Sequence, residues 1–435
     1  MKLIKHQIAM ALAGTLLASS SMATVYFVNP AQDEGVAIDG YTADTAFASF
    51  EDAMAVATGG DTIYLLSGDY GSVLIDHIGE DFETSLVIKA KPGEVVNMEY
   101  LHTYGSSNLS FSGLNLMPPQ ISPYDDEGNL RTSEQLAELQ VANRPMKCGA
   151  VACFKDSYWA KAKNIVFENN TVKSFESLTE EQAADKNFWA DFTETGVATE
   201  ADNSVIANNH ISNVAGGISI GGTSNSRVIG NSIRNMGSTG IGVSGAHHAV
   251  VDSNELSNFY RTRSRYAAGG YPPKAIGHYG GESTTLGVVI SNNLVISAES
   301  DALGVSNIGL GGAIMSYHGI LKGWTVTGNV IQAKIWHTIT LNDTVDLIMS
   351  HNVMLDPRYD SFGIQLGGSE LTSELTTEQR NQSVTCNLMP HIGASNALIE
   401  EFNVLTFLDS ENWQETALDL WDSSCNAGFE NKLTF

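Results

Sequence analysis

A short apolar strand followed by Asn and a further apolar stretch recurs down this chain, and that recurrence limits the possible folds more than any other feature. It reads Ile165-Val166-Phe167 with Asn170-Thr171-Val172, then Val205-Ile206 with Asn209-His210-Ile211. It continues as Val228-Ile229 with Asn231-Ser232-Ile233 and Val250-Val251 with Asn254-Glu255-Leu256. Later copies carry Asn293-Leu294-Val295, Asn329-Val330-Ile331 and Asn352-Val353-Met354. From Asn209 the steps are 22, 23, 39, 36 and 23 residues. The short step suits one coil of a solenoid, and the long step suits a coil with an inserted loop. An Asn repeated at one corner of successive coils can stack and hydrogen-bond along the axis. Strands of a β-sandwich do not recur at such a period.

A second strand recurs with it. Ile218, Ile241, Ile276, Ile314, Ile339 and Ile364 each sit inside a short apolar segment, and aligning them stacks one apolar side chain per coil into a core. Alternate positions then face outward. The chain is therefore expected to be all-β, a single-domain right-handed parallel β-helix with an N-terminal helical cap and inserted loops. The domain spans 24–435, with the cap at about 24–60, coils at about 60–370 and a C-terminal cap at about 381–435. Capping is a physical need, because an open solenoid end exposes strand edges and core. Two insertions carry helix-start signals, Thr132 with Gln135 and Thr179 with Gln182, each matching a capping box.

Residues 1–23 read as a signal peptide: two lysines, an apolar stretch from Ile8 to Leu17, and a small-residue end at Ser21-Met22-Ala23. The apolar stretch is too short to span a bilayer, and no later run is longer. The expected location is secreted or periplasmic, with no membrane partner and a monomeric state. The four cysteines permit two disulfides, with Cys148–Cys153 and Cys386–Cys425 nearest in sequence. The net charge of −26 opposes nucleic-acid binding. It also repels an anionic ligand at long range, so any site for one must be locally basic.

Such a site is present in the 39-residue step. Residues 256–281 contain no Asp or Glu, although the chain averages about one acid in nine. The same window holds Arg261, Arg263, Arg265, Lys274 and four tyrosines, Tyr260, Tyr266, Tyr271 and Tyr279. Cationic and aromatic residues together on an insertion mark a recognition surface. They also suit the cleavage of an acidic glycan by β-elimination. A base removes the proton beside the uronate carboxylate, cations offset the carboxylate charge, and an acid protonates the leaving oxygen. Lysine can be the base if neighbouring arginines lower its pKa. Two positions before the aligned isoleucines stand Lys274, Gly312 and His337, so His337 lies two coils from Lys274. His278, Tyr317 and His318 fall near the same strand.

The segment Tyr271-Pro272-Pro273-Lys274-Ala275-Ile276-Gly277 resembles the His-Pro-Asp-Ala-Ile-Gln motif of a broad β-helix group of alginate epimerases, lyases and phage depolymerases. Lys274 stands where that motif has Asp. In this it is similar to polysaccharide lyase family 31 alginate lyases, in which a lysine and a tyrosine form the implied catalytic pair. The resemblance implies Lys274 as base and a tyrosine partner, with Tyr266 and Tyr271 leading and Tyr260 and Tyr279 behind; His337 joins the catalytic candidates. Arg261, Arg263, Arg265, His278, Tyr279, Tyr317 and His318 are the expected substrate-binding set, and the expected partner is an anionic polysaccharide, alginate first. No cofactor is expected; some β-helix lyases use calcium, but here no acidic loop has calcium-ligand spacing. Rival readings are a mannuronan C5-epimerase, a β-helix hydrolase, which needs paired carboxylates, and a non-catalytic glycan-binding or adhesin-like β-helix.

Overall fold

In a computed structural model the described residues are 23–32, 38–122, 124–129, 131–177, 179–191, 193–260, 273–279, 284–296, 312–317, 319–332, 337–355, 362–367, 372, 374–390 and 404–406. They form a right-handed parallel β-helix. Three long sheets run along its axis. Sheet 1 begins with strand Val25–Val28 and ends with Ser383–Thr385; sheet 2 runs from Ser72–Asp76 to Phe362–Gly367; sheet 3 runs from Gly68–Asp69 to Val404–Thr406. Each coil visits sheet 2, then sheet 1, then sheet 3, as in Tyr100–Tyr104, Ser107–Ser112 and Leu114–Leu116. Every strand pairing among the described residues is parallel, and the aligned isoleucines are direct partners: Ile218 with Ile241, Ile241 with Ile276, Ile276 with Ile314, Ile314 with Ile339, and Ile339 with Ile364.

The expected Asn ladder occupies the corner between sheets 1 and 3. Asn170, Asn209, Asn231, Asn254, Asn293, Asn329, Asn352 and Asn387 are all buried. The residue before each one has positive φ, from Asn169 (φ 56) and Asn208 (φ 53) to His351 (φ 56) and Cys386 (φ 55). That left-handed residue turns the chain, and Asn then repairs the hydrogen bonds the turn breaks. Asn254 is typical. Its Oδ1 accepts from the backbone N–H of Asn231 at 2.9 Å, and its Nδ2 donates to Val228 O at 2.9 Å and to Asn293 Oδ1 at 2.9 Å.

The ladder of coils is longer at both ends than the 60–370 span expected. Val25–Val28 already pairs with Thr62–Leu65, and Ser383–Thr385 pairs with Ile348–Ser350 beyond residue 381. The expected cap helix lies over Phe50–Val56, with Ser49 accepting from Asp52 N at its N-cap. Both helix-start signals also hold. Thr132 and Gln135 form a capping box ahead of helix Ser133–Asn143, and Thr179 and Gln182 exchange bonds of 3.0 and 3.2 Å ahead of helix Glu180–Ala184. Cys148–Cys153 is a disulfide, and Cys386 is disulfide-bonded as well; Cys425 and the leader through residue 22 lie outside the described residues.

The larger insertions before residue 312 share one corner. Segments 117–149, 174–194, 260–273 and 297–311 each connect a sheet 3 strand to the next sheet 2 strand. They therefore enter sheet 2 at the N-terminal ends of its strands, and Lys274 is the first residue of one such strand, Lys274–Tyr279.

Asn254→Ala leaves the Asn231 N–H and the Val228 carbonyl buried without these partners. We expect a loss of stability on the order of 3 kcal/mol or more. Asn97→Ala, at an exposed position, is expected to cost less than about 0.5 kcal/mol. Urea unfolding of the two variants beside the parent protein measures the difference.

Candidate active site

Sheet 2 has an inner and an outer face. Val197, Ile218, Ile241 and Ile276 point into the core, so Ala198, Ser219, Gly242 and Gly277 point outward. Four small residues in one row leave a shallow groove on the outer face. Its cavity is about 290 Å³, and Thr195, Ser219, Thr239, Ser244, Lys274 and Tyr279 are among its lining.

Lys274 is 4% exposed and lies on the floor of this groove. Gly277 makes room for it. A Cβ there would stand 3.2 Å from Cδ of Lys274 and 3.0 Å from Cγ2 of Thr239. Removing the ammonium from water disfavours its charged form, and burial lowers the Lys274 pKa to about 8. The sequence reading assigned that lowering to neighbouring arginines; burial is its cause in the described structure, and Arg261, Arg263 and Arg265 lie outside the described residues.

His278 follows on the same strand and is fully enclosed. Its Nδ1 is hydrogen-bonded to Ser316 Oγ at 3.2 Å and its Nε2 to Thr285 Oγ1 at 2.8 Å. Trp324 meets the ring edge-on at 5.5 Å. Burial first, and Lys274 second, lower its pKa to about 4, so the imidazole is neutral at pH 7. With both nitrogens engaged, His278 fixes the groove wall and shields it from a second positive charge. Tyr279 is the other extreme: its side chain is exposed, while its N–H donates to Ser244 Oγ at 2.9 Å.

The remaining candidates divide. Lys274, Gly312 and His337 are register partners across three adjacent strands, as expected, which puts His337 about 10 Å along the axis from Lys274. Tyr317 pairs with Tyr279 in the backbone register. Nothing is described of the His337 and Tyr317 side chains, and Tyr266, Tyr271 and His318 lie outside the described residues. Tyr260 is not in the groove: its buried ring stacks on Trp189 at 4.8 Å, and burial raises its pKa to about 12. Among the described residues no group of three or more His, Cys, Asp and Glu side chains is placed to hold a metal ion.

Sequence reasoning missed the small polar residues, Thr195, Ser219, Thr239 and Ser244, that shape the groove. Single serines and threonines carry no signal until the register lines them up. It also missed a wall further along sheet 2. The buried Glu194 carboxylate accepts from Arg144 Nε at 2.9 Å and Nη2 at 2.7 Å, and Tyr100 lies against the same oxygen at 3.5 Å. Burial pushes the Glu194 pKa up, partly offset by Arg144. This pair and the Cys148–Cys153 bridge tie the 117–149 insertion down over the outer face.

Comparison with solved structures agrees with this architecture. A rhamnogalacturonan lyase matches with a TM-score of 0.50 and 12% identity, covering 84% of this chain and 87% of that one. Its fold is the parallel β-helix of the polysaccharide lyases. A pectate lyase, Pel9A, matches at 0.46 and 13% identity over 87% of this chain and 82% of that one. A lacto-N-biosidase from Eubacterium ramulus matches at 0.49 and 14% identity over 80% of this chain and 67% of that one. No protein-family model and no curated protein matches the chain. At 12% identity the likeness to the rhamnogalacturonan lyase is one of fold.

Gly277→Ala tests the packing of Lys274. Gly277 has an ordinary φ, so alanine is compatible with the strand backbone, but its methyl presses on Thr239 and on the lysine stem. We expect the lysine head to be displaced from its buried position and its pKa to move from about 8, which NMR titration of the parent and variant measures. The melting temperature should fall by only a few degrees, as for a loss of about 1 kcal/mol.

Proposed function

We propose that the protein is an exported polysaccharide lyase that cleaves a uronate-containing glycan, alginate foremost, by β-elimination in the sheet 2 groove. The observation that carries this reading is Lys274, a lysine with its pKa lowered to about 8 on the floor of an open, small-residue groove. A base poised near ambient pH removes a weakly acidic carbon-bound proton most effectively.

The C5 proton of the uronate passes to the neutral Lys274 amine. The electron pair left on C5 forms the C4–C5 double bond, the C4–O4 bond breaks, and O4 takes a proton from an acid. Tyr279 is the tyrosine described in the groove with Lys274, and Tyr266 and Tyr271 remain candidates for that acid. Arg261, Arg263 and Arg265 supply positive charge for the carboxylate, as their place in an acid-free window beside Lys274 suggests. The disulfide and the leader-like first 23 residues support export to an oxidising compartment. No helix of the described residues is long and apolar enough to cross a membrane.

A panel of alginate, polygalacturonate, sulfated glycans and a neutral glucan, read by ultraviolet absorbance of the unsaturated end group, tests the reading. We expect alginate to give the largest signal. Turnover of the neutral glucan alone overturns the reading, and epimerised alginate without unsaturated ends replaces it with an epimerase.

The pH dependence follows from Lys274. The neutral amine is the base, so kcat/KM should rise with pH and level off above about 8. Lys274→Ala should remove nearly all turnover, and Lys274→Arg should not restore it, because guanidinium keeps its proton. Stability provides an independent check. Between about pH 8 and 10.5 the unfolded chain holds the Lys274 proton and the native protein does not, so stability rises with pH across that window. Lys274→Met should therefore raise the melting temperature at pH 7 and give a smaller rise above pH 10. A kcat/KM profile flat from pH 6 to 9 removes Lys274 from the role of base.

A further inference from the structure

The strand four places from Lys274–Tyr279 in sheet 2 is Ala150–Lys155. The loop that leaves it, 156–162, carries Tyr158 and Trp159, each 85% exposed, in edge-to-face contact at 4.5 Å. Two adjacent aromatic side chains so open to water are costly unless something covers them. Both belong to a segment that is also unusually basic. Lys155, Lys161 and Lys163 fall within nine residues that contain a single acid, Asp156, in a chain of net charge −26; Lys155 is paired with Glu200 at 3.2 Å, and Lys161 lies 3.7 Å from Asp156 with most of its side chain exposed.

The loop is built to hold its shape. Ser157 Oγ accepts from Trp159 N at 3.2 Å and Ala160 N at 2.8 Å, and it is hydrogen-bonded to His77 Nε2 at 2.8 Å. Asp156 Oδ1 accepts from Ala162 N at 2.8 Å. Tyr104 braces His77 edge-on at 5.7 Å. The aromatic pair is therefore displayed on a pinned turn, which reduces the entropy lost when a ligand lands on it.

Its place relative to the groove is fixed by register. Cys153, Ala198, Ser219, Gly242 and Gly277 are successive partners across five strands, and the bridge to Cys148 closes this row at Cys153. The row two residues further on runs from Tyr279 through Ser244 and Glu200 to Lys155 and Tyr104, and Lys155 Nζ lies 3.2 Å from the Glu200 carboxylate. Four strand steps, about 19 Å along the axis, separate the two strands, and the loop leaves the C-terminal end of its strand, the end at which Tyr279 lies in the other.

We propose that Tyr158 and Trp159, with Lys161 and Lys163 following on the same segment, form a distal subsite for an acidic polysaccharide whose chain extends along sheet 2 from the Lys274 groove. The apolar faces of sugar rings pack on the two aromatic rings, and the lysines meet the carboxylates. The occupant rests on the lyase reading above, because it is that reading that runs an acidic glycan along this face.

Affinity electrophoresis in gels cast with sodium alginate, polygalacturonate or a neutral glucan tests the subsite without requiring turnover. We expect the uronate gels to retard the parent protein, less so in added salt. Tyr158→Ala/Trp159→Ala should weaken retardation by roughly tenfold, with an unchanged melting temperature. Lys161→Ala/Lys163→Ala should weaken it and reduce its salt dependence. Retardation of the aromatic double variant equal to the parent's overturns the subsite, as does equal retardation by the neutral glucan. The two readings fail separately. An inactive Lys274→Ala with an aromatic double variant that binds normally removes the subsite and keeps the groove. An active Lys274→Ala with weakened binding in the double variant keeps the subsite and removes Lys274 from the chemistry.

Discussion

The buried Asn ladder is the constraint on which the rest of the structure depends. At each corner between sheets 1 and 3 a left-handed residue breaks the strand, and a backbone N–H and a carbonyl lose their ladder partners inside the protein. An Asn carboxamide has both a donor and an acceptor to restore them, and it still reaches the Asn of the next coil, as Asn231, Asn254 and Asn293 do at 2.9 Å each. Leucine can offer neither bond, and aspartate lacks the donor. The corner therefore tolerates neither a changed residue type nor a shifted register, since a slip of one position turns every inward side chain outward. Length variation is pushed elsewhere, and the larger insertions before residue 312 cluster at the corner between sheets 3 and 2. A fold regular at one corner and variable at another gathers its loops beside one end of one sheet.

Sheet 2 meets those loops with a row of small outward residues, and this makes a buried lysine tenable. Ser219, Gly242 and Gly277 leave the face low, and the Lys274 stem lies over Gly277 instead of competing with a side chain there. Burial of the head opposes its charge, while the neutral His278 behind it adds no second charge. Ser316 and Thr285 engage both nitrogens of that imidazole, so the groove has a rigid neutral wall and one titrating amine on its floor.

The parts of this arrangement that repeat were legible in the sequence. The isoleucine register, the Asn corner and the alignment of Lys274 with Gly312 and His337 all follow from periodicity, because a solenoid converts spacing in sequence directly into distance along an axis. The two capping boxes were legible for a local reason, a fixed spacing of hydrogen-bonding side chains. What repeats over few coils, or not at all, was hidden. Two further Asn ladders, Asn108-Asn164-Asn203-Asn225 and Asn213-Asn235-Asn258, sit at other corners over fewer coils and were not picked out. The Arg144–Glu194 pair joins two different insertions 50 residues apart, and no spacing rule foretells it. The burial that lowers the lysine pKa was hidden for the same reason: charge is visible in a sequence, whereas burial depends on which small residues the coils bring together.

The fold by itself leaves the chemistry open, since one fold carries many chemistries and function lies in the site. Electrostatics narrows the field. At a net charge of −26 the protein repels a polyanion from most of its surface, so a polyanion that does bind is confined to places where positive charge is concentrated. Two short segments of the sequence concentrate positive charge, 256–281 and 155–163, and the strand Lys274–Tyr279 of the first and Lys155 of the second lie in sheet 2. Lys274 is in one and the Tyr158–Trp159 pair adjoins the lysines of the other. Under the proposed reading an acidic chain that lies along sheet 2 passes both Lys274 and the Tyr158–Trp159 end of the sheet, whereas one that lies across it meets only one of them.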